Sequence, residues 1–407
     1  MKIGILTNTY PPNLNGVSLA VKNLEAGLRA KGHEVFVATP KVIGVEYRPE
    51  VFAIDSIPTK EKVSPDLYIP ILYIQKATEF FRQKEVELIH THDIFIGGSE
   101  GIVIAANLGV PCIHTFHTFI ESYPYLWVPY RRKIIRTHIK LVCNNYDHVI
   151  APSVKVYRYL AQIGFKTPVT QMLNVIDNKH LVPIESNKVL AKKIGFKPTD
   201  FVFITFCRVA HEKSVDIGLV VLHQLIKKYK NIKYLICGQG PEIENLKTLA
   251  GYLGISDKVI FTRRYEQNEL SGLASLAKVF LFTSHTENLP TNLLEAMKLS
   301  LPVISVDDEA VDYLLDPGIN GFKGSVDEMS QYAEKLYLDK KLLQNMSENA
   351  LERAKKIENE DVTQEHVELY QKVLKYYKNK VIDPGVLETQ ITKISSLVSK
   401  SIQKIFR

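Results

Sequence analysis

Short apolar runs alternate with amphipathic stretches along most of the chain. Lys2–Thr7 reads as a buried strand, Val17–Lys31 repeats its apolar residues at helical spacing, and His33–Thr39 is a second strand after Gly32 stops the helix. The alternation continues through Glu87–His90, a helix over Glu100–Leu108, Pro111–His114 and Asp147–Ala151. A second series starts at Phe201–Cys207. It runs through helix Val215–Lys228, strand Lys233–Cys237, helix Pro241–Leu253, and then Lys258–Thr262, Glu269–Leu276 and Val279–Thr283. Strands that are apolar throughout, separated by helices, predict parallel sheets covered on both faces. The expected fold class is α/β, with two Rossmann-like domains.

The N-terminal domain is expected over 1–177 and the second over 178–355, joined through Met172–Lys188, which lacks apolar periodicity. One closing helical segment, Gln331–Lys378, carries a break near Glu360–Asp361, so 356–380 is expected to return to the first domain. Residues 381–407 form a weakly amphipathic tail of no assigned place, and Val42–Asp66 shows no regular pattern.

Composition narrows the class. At 407 residues the chain exceeds one ordinary core, and 45% hydrophobic with 23% charged residues is the balance of a globular protein. No apolar run approaches the roughly 20 residues that span a bilayer. Met1–Thr7 is too short for the apolar core of a signal peptide, so a cytoplasmic protein is expected. Cys112, Cys143, Cys207 and Cys237 lack metal-ligand spacing and read as reduced, buried thiols. A net charge of +7 suits an anionic partner without choosing among nucleotide, membrane surface and nucleic acid.

The densest chemistry lies in His285–Ser305. Glu287 and Glu295 are separated by seven residues, and Pro290 stands where a first helical residue belongs. The amides of Thr291 and Asn292 would then face out of a helix N-terminus, a site for a diphosphate. A capped amphipathic helix with solvated carboxylates would show the same spacing. In Cys207-Arg-Val-Ala-His-Glu-Lys-Ser214, Arg208 and Lys213 follow a strand, where open α/β sheets bind ligands. Their two cations can neutralise a diphosphate, one as a planar fork and one as a point charge.

Other signals are weaker alone. Gly16, between the first strand and its helix, lets a phosphate approach the backbone, or is an ordinary turn glycine. Gly238-Gln-Gly240-Pro could be only a tight turn, and Arg263 follows another strand. His114 ends a strand and His117 follows it. Tyr123-Pro-Tyr125-Leu-Trp127-Val-Pro-Tyr130-Arg131-Arg132-Lys133-Ile-Ile-Arg136 mixes aromatics with cations, the chemistry of a membrane interface. A solvated helix packed on its Ile face has the same content.

The stretch around Glu287 and Glu295 resembles the signature of retaining glycosyltransferases of GT-B architecture, in which two Rossmann-like domains face across a cleft. This copy has Pro290 where many members carry Gly, and Leu299-Ser300 where many have Ala-Gly. The Arg208 loop resembles their G-R-x-x-x-E-K-G, with Cys207 and Ser214 in place of the glycines. His114–Tyr123, Cys143–Ser153, Asn15-Gly-Val, Lys213-Ser and Leu299-Ser-Leu-Pro are similar to the diacylglycerol glycosyltransferases of bacterial membranes, which make monoglycosyl-diacylglycerol from a UDP-hexose. The likeness covers Met1 to about Lys340. It departs at Met172–Asp177, where relatives usually have P-x-G-[IV]-D.

The resemblance implies transfer of glucose or galactose from a UDP-sugar to a lipid hydroxyl with the configuration retained. Glu287 would hold sugar hydroxyls and Glu295 the ribose. Gly16, Gly240, Leu289, Pro290, Thr291, Asn292 and the Arg263 loop would complete the donor site. His117 would orient sugar and acceptor. His114, Glu121, Tyr123, Tyr125, Trp127, Arg131, Arg132, Lys133 and Arg136 would meet the acceptor or an anionic membrane, with the protein docked on the inner face of that membrane. No D-x-D occurs, so no metal and no cofactor are expected, nor is nucleic acid. A transferase with a soluble acceptor, a nucleotide-sugar epimerase and a non-catalytic nucleotide-sugar binder remain as alternatives.

Overall fold

The computed structural model describes residues 1–13, 15–58, 68–71, 73–93, 98–117, 119, 131–176, 181–262, 269–358 and 361–377. The chain divides into two compact units: Met1–Ile176 with the segment from Asp361 onward, and Asp177–Glu360.

Unit 1 runs β1 (Lys2–Leu6), α1 (Gly16–Ala30), β2 (Glu34–Pro40), β3 (Val51–Ile54), the antiparallel pair β4 (Ser56–Pro58) and β5 (Tyr68–Pro70), α2 (Ile74–Gln83), β6 (Leu88–Thr91) and α3 (Gly98–Leu108). It continues through β7 (Cys112–Thr115), α4 (Arg131–Cys143), β8 (His148–Ala151), α5 (Val154–Ile163) and β9 (Val169–Gln171). Seven strands form one parallel sheet in the order β3-β2-β1-β6-β7-β8-β9. Ile3, Ile5, Val35, Val37, Ile89 and Ile113 are fully buried, as expected of strands covered on both faces.

Unit 2 runs α6 (Lys188–Ile194), β10 (Phe201–Phe206), α7 (Val215–Lys228), β11 (Ile232–Cys237), α8 (Ile243–Leu253), β12 (Val259–Thr262) and α9 (Leu270–Ala274). Then come β13 (Val279–Phe282), α10 (Thr291–Lys298), β14 (Val303–Val306), β15 (Gly321–Gly324), α11 (Val326–Leu338) and α12 (Lys340–Glu358). Its six-stranded parallel sheet is ordered β12-β11-β10-β13-β14-β15. In both sheets the strand order reverses beside the first strand, between β1 and β6 and between β10 and β13. Ligands of open α/β sheets settle outside the carboxyl ends of the strands at such points.

The closing helical segment breaks near Asp361, as expected, and at a second place, so it is three helices. Asp339 ends α11, and α12 and α13 (Val362–Tyr377) are separate. Helix α13 belongs to unit 1, where Lys31 of α1 pairs with Asp361 at 2.7 Å. The irregular Val42–Asp66 holds β3 and β4, short strands whose edge position relaxes the apolar pattern.

Candidate active site

In unit 2 the loops after β10 and β13 flank the reversal point and are tied to each other. The Thr283 hydroxyl donates to the Lys213 carbonyl at 2.9 Å, and the Ser284 and Thr286 hydroxyls each donate to the Glu212 carbonyl at 3.1 Å. This lacing brings the Lys213 ammonium against the Glu287 carboxylate, whose Oε1 also lies 3.2 Å from Ser284 Oγ. Arg208 pairs with Glu212 and stays mostly exposed at 58%. Two of the expected cations and the first carboxylate therefore share one strand-end site.

Helix α10 leaves from the same place. Pro290 is its cap rather than its first residue, with extended backbone, and its carbonyl accepts from Leu293 and Leu294. Among the described residues, the amides of Thr291 and Asn292 have no partner within the helix, while the Asn292 side chain donates to the Phe206 carbonyl at 3.1 Å. That bond fixes the helix N-terminus beside β10. Glu295 is partly buried one turn on, and burial pushes its carboxyl up to about 7. Leu289 is buried at the loop.

Gly238 and Gly240 have a packing reason. A Cβ on Gly238 would overlap the Cys207 carbonyl oxygen, and one on Gly240 would overlap that of Val209. They let the β11 loop support the backbone that carries Arg208. Cys207 is itself an inert thiol, pushed up to about 12 by burial. Ser214, by contrast, sits in the left-handed region at φ 48°, as does Ser300 at φ 61°.

In unit 1, Gly16 opens α1 and is exposed. A Cβ there would meet nothing within 4 Å, so packing does not require glycine. Asn15 caps the helix by accepting from the Ser18 amide at 2.9 Å. His117 follows β7, and its Nε2 lies 2.9 Å from His92 Nδ1. His114 is a correction to the expected acceptor or membrane role. It lies inside β7, 1% exposed, with its ring stacked on Tyr146 at 4.8 Å. A ring so enclosed touches neither.

His90, His92, His366 and Tyr370, which the sequence does not single out, cluster around His114 and His117. The available signal is the His-Thr-His run at the end of β6. Arg263, Glu121, Tyr123, Tyr125 and Trp127 fall outside the described residues, as do the side chains of Arg131 and Arg132. Helix α4 packs on its apolar face through Ile135, Ile139 and Val142 and turns Lys133 and Lys140 outward. Lys133, Arg136, Thr137 and Lys140 line a shallow groove closed by Gln162 and Ile163 of α5. The packed-helix and cationic-surface readings of this segment therefore describe two faces of one helix. Among the described residues, no helix is long and apolar enough to cross a membrane.

Residues 14–180 match the family described as Glycosyltransferase Family 4, and residues 186–353 match Glycosyl transferases group 1. The chain is similar to the alpha-monoglucosyldiacylglycerol synthase of Streptococcus pneumoniae, at 28% identity over 79% of this chain and 74% of the relative. It is equally similar to that of Acholeplasma laidlawii, at 28% identity over 86% and 92%. Among solved structures, a sucrose-phosphate synthase from Thermosynechococcus elongatus aligns with TM-score 0.73 at 17% identity, covering 92% of this chain and 99% of that one. The Anabaena protein HepE in complex with UDP and glucose aligns with TM-score 0.71 at 18% identity, covering 91% and 100%. At these identities the structural likeness concerns the fold.

Proposed function

We propose that this chain, which belongs to the glycosyltransferases built from a Family 4 domain followed by a group 1 domain, transfers glucose or galactose from a UDP-sugar to the hydroxyl of 1,2-diacylglycerol with retention. The observation that carries the reading is the strand-end assembly of Arg208, Lys213, Glu287 and the α10 amides around one reversal point.

Each group has a part in that chemistry. As the bond between the sugar and the diphosphate breaks, negative charge grows on the departing UDP. Lys213, Arg208 and the amides of Thr291 and Asn292 stabilise it without any metal, as preorganised donors aimed at developing charge. Glu287 takes sugar hydroxyls and holds Lys213 in place. Glu295 takes the ribose hydroxyls. His117 orients the sugar and the attacking hydroxyl. The lipid acceptor is supported by the similarity to two enzymes named as alpha-monoglucosyldiacylglycerol synthases and by the cationic groove at Lys133, Arg136 and Lys140. Those cations meet lipid phosphates at an anionic membrane surface, where the protein docks peripherally.

A screen of UDP- and GDP-sugars with diacylglycerol vesicles, read by released nucleotide, tests the donor. Release from UDP-glucose or UDP-galactose only when vesicles are present supports the proposal. Release that ignores the lipid would move the protein to a soluble-acceptor transferase. Interconversion of the sugars without release would make it an epimerase, and binding without turnover a non-catalytic module.

A further inference from the structure

The strand ends of unit 1 hold more histidine than the proposed reaction uses. His90 and His92 flank Thr91 at the end of β6, His114 and His117 come from β7 and its loop, and His366 comes from α13. Burial pulls all five below the ordinary histidine range, His114 and His117 to about 3 and His366 to about 4. At pH 7 each ring is neutral and carries one proton. His90 is satisfied on both sides, with Nδ1 at 2.8 Å from the Tyr370 hydroxyl and Nε2 at 2.8 Å from Thr115 Oγ1. Its ring lies 4.2 Å from that of His92.

One proton lies between His92 Nδ1 and His117 Nε2, which are 2.9 Å apart. It has two possible owners. If His117 donates from Nε2, His92 must carry its own proton on Nε2. That nitrogen is buried and has no partner among the described residues, so an N–H donor would be stranded. If His92 donates from Nδ1, only a bare lone pair is left at Nε2. A buried N–H without an acceptor is rarer and costlier than an unused acceptor. His114 repeats the pattern. The Thr91 hydroxyl donates to the Ile113 carbonyl at 3.4 Å, so it accepts from His114 Nδ1 at 2.9 Å. His114 Nε2 is then the bare nitrogen, and it too is buried without a partner among the described residues.

We infer that His92 is a positioning residue that donates from Nδ1 to His117 Nε2 and thereby fixes the proton of His117 on Nδ1. His117 Nε2 is then the acceptor in that pair, and the ring proton of His117 is on Nδ1. His90, clamped between Thr115 and Tyr370, backs the His92 ring and links this tautomer to α13. The consequence for turnover rests on the reading of His117 as the residue that orients sugar and acceptor. The tautomer itself does not.

The experiment labels the histidines of the full chain with nitrogen-15 and reads the ring tautomers from long-range proton–nitrogen spectra. His117→Ala assigns the His117 signals, and kinetics and melts run beside the spectra. In the parent and in His92→Asn, whose amide can donate from the place of Nδ1, His117 is expected as the Nδ1–H form. In His92→Asp, whose carboxylate only accepts, it should move to Nε2–H. Turnover should fall roughly tenfold in His92→Asp and His92→Phe, the factor of about one lost hydrogen bond, and recover in His92→Asn. UDP affinity should hold in all three. An Nε2–H form of His117 in the parent overturns the inference. So does a folded His92→Asp with the tautomer moved and turnover intact. Full activity in His117→Ala would instead defeat the reading of His117, and the spectra would still decide the tautomer.

Discussion

Lys213 and Glu287, separated by 74 positions in the chain, meet as an ion pair at the ends of β10 and β13. Their side chains are only 23% and 19% exposed. Burial pulls the Lys213 ammonium toward neutrality, but the Glu287 charge and hydrogen bond outweigh it and raise its pKa above the usual lysine value. The cation is therefore charged and placed before any diphosphate arrives.

Lys213→Ala and Arg208→Ala should each raise the barrier to transfer by roughly 2–4 kcal/mol, the scale of a lost donor to developing charge. Lys213→Ala should also lower the melting temperature, because it strands a partly buried carboxylate. Adding Glu287→Gln should restore the melt and leave turnover low. Arg208→Ala should lower the melting temperature less, since the Arg208 guanidinium is mostly exposed and its pairing with Glu212 is screened by solvent. Steady-state kinetics beside thermal melts decide this, and unchanged activity in both single variants removes the site from the mechanism. In the same assay activity should survive EDTA. Loss on chelation with recovery in manganese or magnesium would contradict the assignment of the diphosphate charge to these cations.

Glu295 gives the protein a pH signature. Its carboxyl is raised from 4.5 to about 7, so the unliganded protein loses stability as pH climbs through that interval and the buried group must ionise. Glu295→Gln should flatten that slope in melts. Ribose hydroxyls donating to the carboxylate favour its charged form. UDP affinity should thus rise with pH toward 7, with a proton released on binding. Calorimetry in two buffers of different ionisation enthalpy measures that release. Glu295→Gln should weaken UDP and lose the proton, whereas Glu287→Gln should keep UDP and lose sugar transfer. Equal loss of UDP affinity in both would contradict these roles.

Ser214 and Ser300 occupy left-handed backbone at φ 48° and 61°, where a Cβ is strained. Both are positions at which the resembling transferases carry glycine. Ser214→Gly and Ser300→Gly should each stabilise the fold by about 0.5–1 kcal/mol, the relieved strain less the added freedom of the unfolded chain. Chemical denaturation reads the change directly. A loss of stability in either would show that the serine side chain makes contacts worth more than the strain.

The central strands and their helices are legible because their apolar patterns are strong: the helix expected over Val215–Lys228 is α7 residue for residue. Edge elements are not. β9 is three residues long and half exposed, and β15 is Gly-Phe-Lys-Gly, with no alternation to read. In the site, Arg208, Lys213 and Glu287 can be placed because each follows a recognisable strand. The contacts around His117 cannot, since His90 meets Tyr370 across 280 positions once α13 packs back on unit 1. His114 misleads for the same reason. Only the assembled sheet shows that it faces inward, against Tyr146.

The cations of α4 should carry vesicle binding. Changing Arg131, Arg132, Lys133 and Arg136 together to Gln should lower co-sedimentation with anionic vesicles steeply, with about 1 kcal/mol from each cation near such a surface. High salt should weaken the parent in the same way, and UDP affinity should hold in the variant because the cations and amides assigned to the diphosphate lie in unit 2. A variant that pellets as well as the parent would make α4 a packed helix and nothing more.

The most direct measurement follows the hexose itself. The full chain is incubated with UDP-glucose or UDP-galactose and vesicles of anionic phospholipid containing 1,2-diacylglycerol, and the lipid phase is analysed by mass and by anomeric configuration. The account predicts one α-linked hexose on diacylglycerol, formed in step with UDP release and abolished in Lys213→Ala. A hexose recovered on a soluble acceptor, as the β-linked lipid, or as an epimerised nucleotide sugar would contradict it.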